Sequence, residues 1–331
     1  MIPAIVARSL APSRRALLGG LFAAPVAVAL TDRLAAAAPL SVVATTGMIA
    51  DAARRVGGDR IVVKGLMGPG VDPHGYRQTR DDVAAMARAD VILRHGLRLE
   101  AQLERLFADL AARKPVVAVA GALDPAQLLA DEAYPDQFDP HVWMDPALWA
   151  QVAGVVRDAL AAADPAGADV YAANAAAWAG EIAALGAYAA ETLATVPEST
   201  RVLVTAHDAF GYFGRAFAFD VEGVQGISTE AEAGLRRIEA LVALLVDRRV
   251  PAVFIESSVS ERNVRALVEG AAARGWAVRV GAELFSDAMG PEGTYEGTWI
   301  GMMDHNVTAI ARALGGVAPE RGMRGLLAGP A

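Results

Sequence analysis

The sequence predicts an α/β protein of two lobes, each a small parallel sheet covered by helices, joined by a long helix. Three observations predict it. Short β-branched runs alternate with amphipathic stretches in the first half of the chain, the same rhythm returns in the second half, and a strand-free, alanine-rich stretch lies between them. Strands alternating with helical patterns build a parallel sheet, because a parallel connection needs a crossover long enough to hold a helix. At 331 residues there is chain enough for two cores, single domains running to about 100–200 residues.

Residues 1–38 come first and read as an address. Ser13-Arg14-Arg15-Ala16-Leu17-Leu18 sets paired arginines directly before an apolar stretch, 16–30, and Ala35 to Ala38 offer the small residues a signal peptidase needs. A transmembrane helix takes about 20 apolar residues; this stretch is shorter and ends at Thr31-Asp32-Arg33. It reads as a signal resembling the twin-arginine type, cleaved near Ala38, rather than as an uncleaved anchor. The mature protein is then expected to be soluble and periplasmic, or at least extracytoplasmic.

The N-terminal lobe is expected over 39–168, with strands at 40–44, 61–66, 91–93 and 116–118 and helices at 49–56, 80–89 and 99–112. Asp145-Pro146 supplies an N-cap and a proline at the first helical position, opening a helix to about Ala163. After Asp164-Pro165 a second helical run, from 170 to about 195, is rich in alanine and glutamate and stops before Pro197. Its roughly 26 residues would span about 39 Å, so 169–197 is read as a linker helix. The C-terminal lobe, 198–316, repeats the pattern with strands at 202–205, 221–224, 252–255 and 278–280 and helices at 232–248, 261–274 and 302–314. The tail, 317–331, carries glycines and prolines and reads as flexible.

Composition narrows the function. The chain is 54% hydrophobic and 21% charged, as globular proteins are; much of the apolar content is alanine, so a mean hydropathy of +0.32 is no membrane signal. Loss of residues 1–38, with four arginines and one aspartate, takes the net charge from −8 to −11. An acidic surface of that kind disfavours nucleic acid and anionic membranes as partners. Cysteine is absent, which excludes disulfides, thiolate metal sites, a cysteine nucleophile and a lipid-modified N-terminal cysteine.

Three of the five histidines sit in ordered-looking loops. His74 lies in Val71-Asp72-Pro73-His74-Gly75-Tyr76, just past a strand; His141 lies in Asp139-Pro140-His141-Val142-Trp143, just before a helix; His207 lies in Thr205-Ala206-His207-Asp208, where a strand gives way to a helix. Ligands of open α/β sheets bind beyond the carboxyl ends of strands. Neutral imidazoles suit zinc, manganese, iron and copper, and one carboxylate supplies the missing negative charge. Candidates for it are Asp208, Glu256, Glu283 and Asp287, the last in a loop after the final strand. His95 reads as a packing residue and His305, in the last helix, as a structural hydrogen bonder.

In chain order, DPHGY, HVWMDP, TAHDAFGYF, GVQGIST, FIESSVS and LFSDAMGPEGTYEG resemble the metal-binding solute receptors of ABC importers, the manganese/zinc/iron family of cluster 9 type. The resemblance runs from about Leu40 to Leu314. It implies two pseudo-symmetric lobes joined by a rigid helix, metal bound between them, and docking of a monomeric receptor on a membrane permease. Position by position, His74, His141, His207 and Asp287 fall on the four ligand positions. Two departures stand out. The third position is histidine, where some manganese-selective members have glutamate. The stretch 123–140 lacks the histidine-rich loop common in zinc-specific members and carries Asp124, Asp131, Glu132, Asp136 and Asp139 instead.

Three imidazoles and one carboxylate satisfy tetrahedral zinc; a bidentate aspartate gives the five-coordination that manganese or ferrous iron accepts. Zn²⁺ outbinds Mn²⁺ at almost any such site, so the missing histidine-rich loop is what favours Mn²⁺ as cargo, with Zn²⁺ close and Fe²⁺ after them. Protons should compete for the imidazoles as pH falls through about 6.5. Asp208 and Glu256 are the groups expected to fix the imidazole tautomers. Two other readings compete. A zinc-dependent hydrolase would use Glu256 as general base with Asp287 unbound, but no H-E-x-x-H, G-x-S-x-G or Walker A motif is present. A metal-independent binding or adhesion protein would leave the histidines purely structural.

Overall fold

A computed structural model describes Met1 and residues 38–328 except 132, 133 and 135. The signal expected over 1–38 lies outside the described residues but for its two ends, as does Glu132. No described helix is long and apolar enough to cross a membrane.

Four parallel strands form the first sheet. β1 (Leu40–Ala44) lies between β2 (Ile61–Gly65) and β3 (Val91–Arg94), with β4 (Val116–Ala118) beyond β3. Successive strand residues face opposite sides. Val42, Ala44, Val91 and Leu93 therefore join Ile49, Ala52 and Val56 of α1 (Gly47–Gly57) in the main core, while Val43 and Ile92 meet Met86 of α2 (Arg80–Arg88) and Phe107 of α3 (Glu104–Ala111) on the other side. Burial on both faces is why these strands read as continuous apolar runs. α2 opens with a capping box, Thr79 and Asp82 each accepting the other's backbone N–H.

The helix expected from residue 99 starts later, as a 3₁₀ turn over Ala101–Leu103 before α3. Gly96, Leu97 and Arg98 all take left-handed φ, 88°, 51° and 62°. The buried Glu100 carboxylate holds this turn by accepting the N–H of His95 (2.7 Å) and Gly96 (3.2 Å) and the Thr45 hydroxyl (2.6 Å).

α4 (Pro146–Ala163) starts where the Asp145-Pro146 pair predicts, the Asp145 carboxylate accepting Ala147 N–H at 2.8 Å. α5 (Ala168–Ala194) follows and contains the expected linker run. In the second half β5 (Val202–Thr205) pairs in parallel with β6 (Asp220–Gly223), and β7 (Ala252–Glu256) with β8 (Arg279–Leu284); β5 lies beside β7. The intervening helices are α6 (Gly211–Phe217), α7 (Leu235–Asp247) and α8 (Arg262–Ala273), and α9 (Trp299–Ala313) closes the lobe. α6 is the helix expected just after His207, though its two glycines and seven residues carry no helical period that would fix its bounds, and Ala218 ends it at φ 57°. β8 runs four residues past its expected end: Gly281 and Glu283 interrupt the apolar run, and the pairing with β7 shifts register between Val253 and Ile255 before resuming at Glu283 and Leu284.

α5 presents Tyr171, Ala175, Trp178, Ile182, Leu185 and Ala189 on one buried stripe at alternating spacings of four and three. It packs on α1 and α4 from the first lobe and on α9 from the second. Trp299, the first residue of α9, stacks on Trp149 of α4 and meets Trp178 of α5 edge-on, and its backbone N–H donates to Asp51 of α1 at 3.0 Å. The tail expected to be flexible is tied down over its described part: Leu327 is buried and Met323 N–H donates to the buried Asp304. Glycines and prolines signal a break in regular structure, and here they shape a compact turn rather than free chain.

Candidate metal centre

His74, His141, His207 and Asp287 converge. One donor atom from each lies within 4.8 Å of the others, and all four side chains are buried. Each stands beyond the carboxyl end of a strand or in the loop that follows it, which is where parallel sheets place ligands.

The first-lobe histidines share one local construction. In Asp72-Pro73-His74 the His74 N–H donates to Asp72 Oδ1 at 2.8 Å; in Asp139-Pro140-His141 the His141 N–H donates to Asp139 Oδ1 at 2.9 Å. An aspartate accepting from the backbone two residues on closes a tight turn, and the proline between fixes φ. Asp139 Oδ1 also accepts His141 Nδ1–H at 2.7 Å, so the Nε2 lone pair of that ring faces the centre.

The second lobe builds its half across strands. Glu256, the last residue of β7, accepts the backbone N–H of His207 at 2.9 Å and its ring Nδ1–H at 2.5 Å. Asp287 follows β8 in a loop pinned from two sides. Asn306 of α9 accepts Phe285 N–H (2.9 Å) and donates to Phe285 C=O (2.7 Å), and Trp143 Nε1–H from the first lobe donates to Ser286 C=O (2.8 Å).

At the centre, Nε2 of His74 and Nε2 of His141 stand 3.3 Å apart. Donors about 2.0–2.1 Å from a tetrahedral metal lie roughly 3.3 Å from one another. Asp287 Oδ1 is 3.3 Å from His141 Nε2 and Oδ2 is 3.1 Å from His207 Nε2, yet both oxygens and His207 Nε2 are without a hydrogen-bond partner. Buried polar atoms are rarely left so. The arrangement offers five donor atoms to a single cation.

The electrostatics separate the histidines. Burial pushes His74 down to about 4. Burial also opposes charge on His141, but Asp139 and then Asp287 outweigh it and raise the ring to about 9. His207 rises well above its ordinary value for the same reason, Glu256 and Asp287 overcoming burial. Asp287, which burial alone would raise, is pulled well below the usual carboxylate range by His207 and His141. Proton competition at His141 therefore sits near 9, not at the 6.5 of a free imidazole.

Residues 42–313 match the family described as "Zinc-uptake complex component A periplasmic", ZnuA. The chain belongs to the ZnuA family. It is similar to the manganese-binding lipoprotein MntA of Bacillus subtilis (strain 168), 44% identical over 275 residues that cover 83% of this chain and 90% of that one. It is equally similar to the zinc-binding protein TroA of Treponema pallidum (strain Nichols), 44% identical over 283 residues covering 86% and 91%. The solved structure of the periplasmic zinc-binding protein TroA from Treponema pallidum matches with a TM-score of 0.81 over 83% of this chain and 99% of that one.

Within this ZnuA-family chain Glu256 stands where a tautomer-fixing group is expected, but Asp208 does not. Its side chain bonds to neither ring, and burial together with neighbouring Asp139 raises it to about 6. The matching carboxylate for His141 is Asp139, and the repeated Asp-Pro-His is the signal for it. Glu283 contributes only its carbonyl, to His305 Nε2–H at 2.9 Å. His95 donates from Nε2 to Pro140 C=O at 2.6 Å and lies edge-on to Trp143, bracing the His141 turn from behind.

Proposed function

We propose that the chain is an extracytoplasmic solute-binding protein that captures one divalent transition-metal ion between its lobes, at His74, His141, His207 and Asp287, and delivers it to the permease of an ABC importer. The observation that carries this is the convergence of four buried side chains from two lobes, one donor atom of each within 4.8 Å of the others, with two imidazoles oriented by buried carboxylates. Manganese is the favoured cargo, because Asp287 offers both oxygens and five donors suit Mn²⁺ or Fe²⁺; Zn²⁺ follows closely and binds tightly in vitro. The two relatives named above, one manganese-binding and one zinc-binding, support the class of cargo equally. Residues 39–168 and 198–316 act as the lobes and 169–197 as the link, in a monomer released by signal cleavage near Ala38.

The site is a binding site, not a catalytic one. A zinc hydrolase keeps an open metal position and a free general base. Glu256, the candidate base, is committed to the ring and backbone of His207, and Asp287 faces the same point as the imidazoles.

Elemental analysis of the protein purified from the native envelope, beside its His207→Ala variant, tests the reading. Near-stoichiometric Mn, Zn or Fe in the wild type and none in the variant is the expected result. A metal-free wild type whose melting temperature ignores added Mn²⁺ and Zn²⁺ would sink it.

A further inference from the structure

Residues 317–328 lie beyond the stretch that matches the ZnuA family, which ends at Ala313, and they do not trail into solvent. The segment begins at the end of α5, where Val317 N–H donates to Thr195 Oγ1 at 2.8 Å. It then crosses α9. Met323 N–H donates to both oxygens of the fully buried Asp304, at 2.9 and 3.0 Å. Gly322 sits so close to that carboxylate, with φ 70°, that a Cβ would come within 2.5 Å of it. Arg321 and Leu327 close the turn on each other, Leu327 N–H donating to Arg321 C=O (3.2 Å) and Arg321 Nε–H to Leu327 C=O (3.1 Å). Arg324 reaches back to Glu181 on α5 at 2.9 Å. Finally Ala328 N–H donates to Oε1 of Glu296, a nearly buried side chain, at 2.7 Å.

Glu296 belongs to the loop that leaves Asp287. That loop folds on itself: Gly290 N–H donates to Glu296 C=O at 2.9 Å, and a Cβ on Gly290 would stand 2.6 Å from the Glu296 Cβ. Asp287 is three residues before Gly290. Its entry side is fixed by Asn306 at Phe285, and its exit side closes on Glu296, whose carboxylate the tail grips. Tyr295, next to Glu296, donates its hydroxyl to the same Asp304 that receives Met323 N–H, at 3.0 Å. Loop and tail therefore meet on two carboxylates, Asp304 and Glu296. Beside this contact lies a cavity of about 550 Å³, with Phe285, Pro291, Glu296, His305, Leu327 and Ala328 among its lining, so the tail can shift there without a packed core being torn open.

We propose that residues 317–328 form a strap that joins the connecting helix to the Asp287 loop and, through Glu296 as a positioning residue, sets how fast the bound metal leaves. The inference rests on the metal-site reading above. The strap touches no ligand; it acts by holding the exit side of the loop, so that Asp287 keeps both oxygens on the cation. Removing it leaves capture intact and shortens retention. Groups that act on a metal site through its ligands change affinity by about 10–100-fold, and one hydrogen-bonded clamp belongs at the low end of that range.

The experiment follows metal release from Zn²⁺-loaded protein into excess chelator by stopped flow, with association measured separately. Four proteins are compared: wild type, a chain ending at Gly316, Glu296→Ala, and Glu296→Gln, whose amide oxygen still accepts Ala328 N–H. The shortened chain and Glu296→Ala should bind one ion, associate within about twofold of wild type and release about tenfold faster, with Glu296→Gln restoring slow release. If the shortened chain fails to fold, the two Glu296 variants decide. Release within about twofold of wild type in folded, metal-loaded Glu296→Ala overturns the strap's role and leaves the metal site standing. A wild type that takes up no metal overturns both.

Discussion

Each lobe brings two donors to the same point, and the two lobes secure them by opposite means. In the first lobe His74 and His141 are each held by the aspartate two residues earlier. In the second lobe His207 depends on Glu256, 49 residues further along, and the Asp287 loop depends on Asn306 of α9 and on Trp143 of the other lobe. Local turns persist in fragments of structure; cross-strand supports exist only once the lobe has folded. The first lobe thus shapes its donors chiefly within local turns, and the second through contacts between segments distant in sequence.

The sharpest test of that contrast compares ligands across the lobes. Asp287→Ala removes the only anion among the four and should lower Mn²⁺ and Zn²⁺ affinity by well over a hundredfold, beyond the about 10–100-fold typical of supporting groups. His74→Ala, which deletes a neutral ring on an intact turn, should cost less. Equal losses in a competitive titration would remove the asymmetry. Next come the supports themselves. Glu256→Gln should weaken metal binding about a hundredfold and lower the melting temperature, and Asp139→Asn about tenfold, because Asp139 accepts the backbone and ring N–H of His141 on one oxygen, which an amide keeps, whereas Glu256 uses one oxygen for each N–H of His207 and would lose an acceptor. The reverse order would show that local geometry is the weaker device.

The pH response is smaller per unit and separates the histidines. His141 is raised to about 9 in the folded, metal-free protein. Its charged form therefore stabilises that protein fully below about 6.5, and the contribution disappears as pH rises through about 9. Metal binding runs the other way, since each imidazole must lose its proton first. Affinity should climb at least about tenfold per pH unit between about 6.5 and 9, one decade for the proton His141 releases and more for any that the likewise raised His207 gives up, and the metal-induced gain in melting temperature should grow over the same window. Asp139→Asn should flatten that climb. His74, lowered to about 4, is neutral throughout it and destabilises the fold only as pH falls below 6.5. A flat affinity profile between about pH 7 and 9 would contradict the pairing. Smallest is Thr229→Val, which breaks the 2.5 Å hydrogen bond from Thr229 in the second lobe to Asp72 Oδ2 in the first. One such bond contributes about 1 kcal/mol, so affinity should fall no more than about fivefold; a larger drop would mean that the His74 turn is not self-sufficient.

The same asymmetry decides what could be read from the sequence. β1, β4 and β5 were legible to the residue, because buried strands announce themselves as short β-branched runs, and α4 was legible from its Asp-Pro cap. All four converging side chains are named by their motifs. Among their supports, Asp139 was within reach, since Asp-Pro-His occurs twice, and Glu256 rested on little more than a strand end. Asp208 lies close to the rings of His141 and His207 but hydrogen-bonds to neither, their Nδ1 atoms being taken by Asp139 and Glu256. Asn306 and Glu296 have no local signal, because each gains its role only from a segment folded against it.

Two of the imidazoles are held next to buried carboxylates that keep them charged, and this gives loading an unexpected ledger of charge. An ion that binds at this centre has to displace protons from His141 and His207, so the charge it brings is offset by charge that leaves. Exchanging protons for the ion in this way keeps the net charge buried at the centre small.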